Sequence, residues 1–159
     1  FEKGHDPLVI VLDGVSDVRN FGAIVRSAEC FGAHAIVIPE KGSARITADA
    51  VKTSSGALNS FPVCREKSIL KAVQYLKESG LKVICADERS GKAVNEVRLT
   101  GPSALIMGSE DKGISRELSA LADTAVKIPT TGTIPSLNVS VAAGVFLYEI
   151  NRQRQQIVS

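Results

Sequence analysis

Five short runs rich in valine and isoleucine, each set off by a stretch of helical periodicity, constrain this chain more than any other feature. The runs are PLVIVLD (residues 7–13), AHAIVIP (33–39), LKVICAD (81–87), SALIMGS (103–109) and TAVKIPT (124–130). A strand with one face in water alternates apolar and polar residues. Near-continuous apolar runs of this length read instead as strands buried on both faces. FPVCR (61–65) is a shorter strand, and residues 20–31, 48–55, 68–79, 115–122 and 138–153 read as helices. Strand and helix in alternation predict an α/β fold with a mostly parallel sheet and helices on both faces. No repeat or low-complexity tract divides the chain, so residues 1–159 read as one domain, large enough to bury a core without staples. The chain begins at Phe1 rather than Met, which leaves room for a substrate-binding domain upstream.

Several function classes drop out on composition. Charged residues at 23% and hydrophobic ones at 44% fit a globular protein rather than a disordered or fibrous one. No apolar run reaches membrane-spanning length and no basic-then-apolar leader opens the chain, so a cytoplasmic protein with no membrane partner is expected. Cys30, Cys64 and Cys85 form no C-x-x-C pair and each lies in an apolar segment, which predicts small buried thiols. His5 and His34 are isolated, so no metal site is expected. A net charge of +2 permits nucleic-acid binding without requiring it.

In open parallel sheets, ligands sit where loops converge at the carboxyl ends of strands. Three such loops stand out. The first, LDGVSDVRNFGAIVRSAE, lacks G-x-G-x-x-G, and no G-x-x-x-x-G-K-[ST] occurs anywhere, which disfavours an ordinary NAD enzyme or P-loop NTPase. Asn20 stands where a helix opens and is a candidate cap. Arg19 and Arg26, seven residues apart, share one face of that helix; on spacing alone, two solvated surface arginines explain them better than a site does. The second loop, ALIMGSEDKGIS, offers Gly108 for close backbone approach and Glu110 as an acceptor, although a simple turn with Ser115 capping the next helix accounts for it too. The third, KIPTTGTIPSLNVS, packs Thr130, Thr131, Thr133, Ser136 and Asn138 ahead of a strongly apolar helix. Capping explains one such residue but not the density.

Taken in order, DVRNFGAIVRSAE, ALIMGSEDKGIS and IPTTGTIPSLNVSVAAG resemble the three motifs of the SpoU (TrmH-like) RNA 2′-O-ribose methyltransferases of the SPOUT superfamily. The resemblance covers residues 7–153, and TSSGALNSFPV (53–63) is similar to the family's small-residue segment before its middle strand. Val18 departs from it, since many members carry Pro after the Asp. The resemblance implies a C-terminal deep trefoil knot, a rare exception to unknotted topology. It also implies a homodimer and S-adenosylmethionine as methyl donor, with no metal. Carried over position by position, the donor contacts fall at Met107, Gly108, Ile128, Pro129 and Leu137. The polar catalytic positions fall at Asn20, Arg26, Glu110, Ser136 and Asn138, with Arg26 at the arginine usually assigned to catalysis. RNA contacts are expected at Arg19, Arg26 and Arg45, with Lys52 and the Arg152 and Arg154 tail as further candidates, the tail arginines being equally explicable as a solvated helix end.

A ribose 2′-hydroxyl is a poor nucleophile, so the enzyme must align oxygen, methyl carbon and sulfur and help remove one proton. A guanidinium, with a pKa above about 12, is an awkward general base. Arg26 is therefore expected to bind the neighbouring phosphate and polarise the hydroxyl, while Asn138 and Ser136 orient the hydroxyl or hold Arg26 and Glu110 fixes Asn20 or Arg26. Aromatics at 4%, with no Trp, make phosphate contacts rather than base stacking the main grip on RNA. The pattern leans toward members that methylate a guanosine of large-subunit (23S) rRNA, with tRNA as the alternative. Two other readings are a non-catalytic RNA-binding relative and a nucleotide-binding α/β protein that uses helix N-termini for phosphate.

Overall fold

Strand β1 (Leu8–Asp13) sets the layers, because it is buried on both sides. In the computed structural model, which describes residues 4–158, Leu8, Ile10 and Leu12 face one apolar cluster and Val11 the other. The chain continues through α1 (Val18–Cys30), β2 (Ala35–Pro39), α2 (Ala48–Thr53), β3 (Val63–Glu66), α3 (Ile69–Glu78), β4 (Lys82–Ala86), β5 (Ser103–Gly108), α4 (Arg116–Ala120), β6 (Thr124–Val126) and α5 (Val139–Val158). The strands form one sheet in the order β3-β2-β1-β5-β4-β6, and each neighbouring pair is parallel. Parallel neighbours need crossovers, and here helices supply most of them on both faces. Phe21 and Ile24 of α1, Ala50 of α2, and Phe146 and Leu147 of α5 cover the Ile10 face; Val73 of α3 and Leu118 of α4 cover the Val11 face.

β1 and β5 pair from Leu8↔Ser103 to Asp13↔Gly108, so their carboxyl ends finish level and their following loops start side by side. The amide of Ser109 donates to the carbonyl of Asp13 at 3.1 Å, and that of Ser115 to Asp13 Oδ2 at 2.8 Å. α1 is pressed against α2 at Gly22, where a Cβ would lie 2.6 Å from the carbonyl oxygen of Ala50. Only glycine permits that approach.

Several expectations need correcting. α1 begins at Val18, two residues before Asn20, because Asp17 is the cap: its backbone is extended and its Oδ1 accepts the Asn20 N–H at 2.8 Å. Ser115 makes no side-chain cap; its N–H is taken by Asp13 instead. Cys85 is buried, but Cys30 and Cys64 are exposed. Cys30 ends α1 on its outer side, and Cys64 lies on β3, an edge strand paired only with β2.

The last helix runs to Val158 rather than 153, held at its far end by tertiary contacts. Arg154 donates to the carbonyls of Asp6, Pro7 and Gly101 at 2.8, 3.2 and 2.7 Å. Gln153 donates to the Val97 carbonyl at 3.0 Å and accepts from the Leu99 N–H at 2.8 Å. Arg152 forms an ion pair with Glu149 at 2.8 Å. Arg154 is therefore engaged inside the fold rather than free to grip RNA, whereas Arg152, its side chain 39% exposed, pairs among the described residues only within its own helix. Among the described residues no helix is long and apolar enough to cross a membrane.

Candidate active site

The carboxyl ends of β4, β5 and β6 open onto a cleft of about 270 Å³, close to the lower end of small-molecule sites at roughly 300 Å³. Each wall comes from a loop that a strand delivers. Ala86 ends β4 and 87–89 follow it, Met107 and Gly108 end β5 and 109–114 follow them, and Ile128, Thr130 and 135–137 follow β6. Val139, Ala142 and Phe146 of α5 close the side. Apolar side chains (Met107, Ile128, Leu137, Phe146) share the surface with peptide groups and short polar residues, which suits a ligand that is part apolar and part polar.

Gly108 is the tightest point. A Cβ there would lie 2.2 Å from the carbonyl carbon of Gly113 and 2.5 Å from the nitrogen of Ile114, so the loop 109–114 folds back directly onto the strand end. The isolated antiparallel bridge Ser109↔Gly113 closes that loop, and Ser109 Oγ accepts the Lys112 N–H at 3.2 Å. A hydrogen bond from the Ser109 side chain holds the exposed Asp111 carboxyl below the usual carboxylate range.

Beside the cleft, three motif residues meet across the level ends of β1 and β5. Glu110 Oε1 accepts the Asn138 side-chain amide at 3.0 Å and the Val139 N–H at 2.9 Å. Asn138 Nδ2 also donates to Asn20 Oδ1 at 3.1 Å. Asn138 Oδ1 meanwhile caps α5, accepting the N–H groups of Ser140 and Val141 at 3.0 and 3.3 Å and the Ser140 hydroxyl. Thus a carboxylate and an amide together satisfy the first free donors of α5, where a negative charge is favoured by the helix dipole. The amide nitrogen of Asn20 and the second oxygen of Glu110 keep bonding capacity toward a ligand.

The expected site residues therefore divide. Met107, Gly108, Glu110, Ile128, Ser136 and Leu137 line the cleft. Asn20 and Asn138 join it through Glu110. Pro129 is exposed and outside the lining, and Arg19, Arg26 and Arg45 are exposed away from it. Arg26 makes no hydrogen bond or ion pair with the described residues, so of the two roles open to Glu110, Asn138 and Ser136, the one in which they hold Arg26 is not seen. The reason is helical: six residues beyond Asn20, Arg26 is turned about 120° around the axis. Sequence reasoning passed over Asp87, Glu88 and Arg89, which line the cleft after β4. Asp87 Oδ1 holds its own loop by accepting from the Arg89 N–H at 2.9 Å and Nε at 3.3 Å. A strand ending in Asp at the carboxyl edge was the available signal, unaccompanied by glycines or a recognisable motif.

Among the described residues, no three His, Cys, Asp or Glu side chains gather in a way that could hold a metal ion.

Comparison with known proteins places this geometry. The sequence model of the SpoU rRNA Methylase family matches residues 7–148. A Mycobacterium leprae protein described as an uncharacterized tRNA/rRNA methyltransferase is 45% identical over 148 residues, covering 93% of this chain and 48% of its own length. The chain thus spans about half the length of the curated relatives it matches. The SpoU methyltransferase AviRb from Streptomyces viridochromogenes, in complex with AdoMet, superposes with a TM-score of 0.85 at 31% identity, over 98% of this chain and 62% of that one. A structure described as an RNA 2′-O ribose methyltransferase gives a TM-score of 0.86 at 30% identity, over 94% and 57% respectively.

Proposed function

We propose, for a chain that belongs to the SpoU rRNA Methylase family, that it is the catalytic part of an S-adenosylmethionine-dependent RNA methyltransferase acting on a ribose 2′-hydroxyl. The observation that carries this reading is the cleft at the ends of β4, β5 and β6, flanked by the Asn20–Asn138–Glu110 contact. Its mixed apolar and peptide lining fits S-adenosylmethionine, with Gly108, Ile128 and Leu137 as the holding residues and Asp87 as an added acceptor. When bound, the donor supplies an activated sulfonium methyl group. The chain's own residues do the rest. Arg26, exposed and unpaired among the described residues, lies outside this cleft; in the proposed homodimer it serves the cleft of the second copy, where it binds an RNA phosphate and lowers the cost of charge developing on the target oxygen. Asn20 and Glu110 offer a donor and an acceptor that the fold holds in fixed orientation. Ser136, on the cleft wall, orients the hydroxyl, and the proton leaves to phosphate or water rather than to the guanidinium.

The substrate proposed is a guanosine of large-subunit rRNA, with tRNA as the alternative. The work would be done in the cytoplasm, by a homodimer. Support for a C-terminal trefoil knot comes from the path after β6: the chain leaves the sheet edge, passes the cleft and returns as α5 against α1, while the 93–99 segment is tied to it by the Ala93↔Lys127 bridge and by Gln153.

Calorimetry with S-adenosylmethionine followed by transfer of labelled methyl to separate rRNA and tRNA fractions tests the reading. Binding without transfer would reduce it to a non-catalytic relative, and no binding would end it. Arg26→Ala should cut single-turnover transfer by at least about 100-fold while leaving donor affinity near normal, as expected for a lost transition-state contact; near-normal turnover rules out its role.

A further inference from the structure

The loop between β2 and α2, residues 40–47, carries the cations Lys41 and Arg45 and is mostly exposed. Loops of this kind are usually mobile, yet this one is tied down at successive residues. Ser43 Oγ donates to the Pro39 carbonyl at 2.6 Å. Ala44 is 2% exposed, and its N–H donates to the carbonyl of Val15 at 3.3 Å, in the segment that leads from β1 into α1. Arg65, on the edge strand β3, reaches over to the same two residues: Nη1 donates to Ser43 Oγ at 3.2 Å and Nη2 to the Ala44 carbonyl at 3.4 Å. Arg65 forms no ion pair with the described residues, so its charge is not neutralised and adds to that of Arg45 next along the chain.

An arginine that spends its fork on a hydroxyl and a backbone carbonyl, beside a cation-bearing loop, does more than fill surface. We propose that Arg65 is a positioning residue for RNA: by clamping Ser43 and Ala44 it fixes Arg45 against the loop that opens α1, four residues before Arg19. Arg45 and Arg19 then meet the phosphates of one RNA strand as a preset pair. This rests on the RNA methyltransferase reading. The planar fork is what the clamp needs, since two acceptors are engaged at once; a lysine retains the charge but engages as a point. Ordering one long side chain before contact lowers the entropic cost of binding without adding a contact.

The test is a double-mutant cycle on RNA binding, measured by filter binding with bulk ribosomal RNA so that it does not depend on catalysis. Arg65→Gln should weaken RNA binding and raise KM for RNA by about 3- to 10-fold, the effect of unfixing one long side chain, with kcat at saturating RNA and donor affinity unchanged. Arg65→Lys should recover part of the loss, and Ser43→Ala should reproduce part of it. In an Arg45→Ala background, Arg65→Gln should add little, because the clamp acts through Arg45. Equal losses in both backgrounds would make Arg65 a direct phosphate contact and overturn the proposal, as would unchanged RNA affinity. Should Arg65→Gln not fold, Arg65→Lys and Ser43→Ala carry the same cycle. If the unsubstituted protein binds no RNA, the underlying reading falls too; if it binds RNA through Arg45 without coupling to Arg65, only the clamp falls.

Discussion

One hydrogen atom, the α-substituent that Gly108 has in place of a side chain, lets the wall of the cleft form. Because an added Cβ would meet the backbone of Gly113 at 2.2 Å, Gly108→Ala must displace the 109–114 loop and Glu110 with it. Overpacking of that kind costs about 1–3 kcal/mol. Urea denaturation should register that loss, and calorimetry should show weakened S-adenosylmethionine binding; a Gly108→Ala protein with unchanged donor affinity would mean that the loop does not shape the site. At this scale the sequence was half legible. Residue type marked Glu110, Asn138 and Asn20 as polar groups at strand ends and helix starts, where capping or a turn explains each singly, and the fold does bring the three together. Type alone misjudged what each one bonds. Asp17 and Asn20 both suit a cap, and the choice falls to Asp17 because its backbone is the extended one. That releases the Asn20 amide to meet Asn138. Arg26 stood out for its type, but only its helical phase reveals that it points away from its expected partners.

Elements read more reliably than residues where burial on both faces left a continuous apolar run, as in β1 and β5. α5 exceeded its expected length because its final turns are polar and carry no apolar stripe; they are helical through Arg154 and Gln153, whose partners are distant in sequence. The clamp they form also involves the start of β1. There the Leu8 N–H donates to His34 Nδ1 at 3.0 Å, a bond that requires the imidazole to be unprotonated at that nitrogen. Burial first, then the charge of Arg154, lowers the pKa of His34 below its ordinary 6.5. The unfolded chain therefore binds more protons than the folded one between that lowered value and 6.5. Stability should be fully present above pH 6.5 and decline as pH falls through this window. Thermal unfolding between pH 7.5 and 5 should show the decline, flattened in His34→Asn, which keeps an acceptor and loses the titration; an identical decline in the variant would put its origin elsewhere.

Across the whole molecule, the two unlike ends of α5 divide tasks: its start frames the cleft and its end braces the opposite pole. Between them its outer side carries Val141 and Tyr148, 52% and 55% exposed, and Tyr148 stacks edge-on against Phe31 of α1 at 6.1 Å. Apolar groups aligned on one helix side suit a second copy of the chain. On the proposed homodimer, the unsubstituted protein is expected to sediment as a dimer and the Val141→Glu, Tyr148→Glu protein as a monomer; a monomeric unsubstituted protein would exclude the assembly. The parallel order of the sheet carries a further cost, one of time. β1 is made before the rest of this sheet, yet its partner β5 lies beyond three other strands and three α-helices in the chain. No hairpin can shelter it meanwhile, and pairings so distant in sequence close slowly. At ~5–20 residues translated per second, β1 waits on the order of 5–20 s before β5 is complete. During that interval the nascent chain carries the apolar centre of its sheet without the partner strand that covers it in the finished fold.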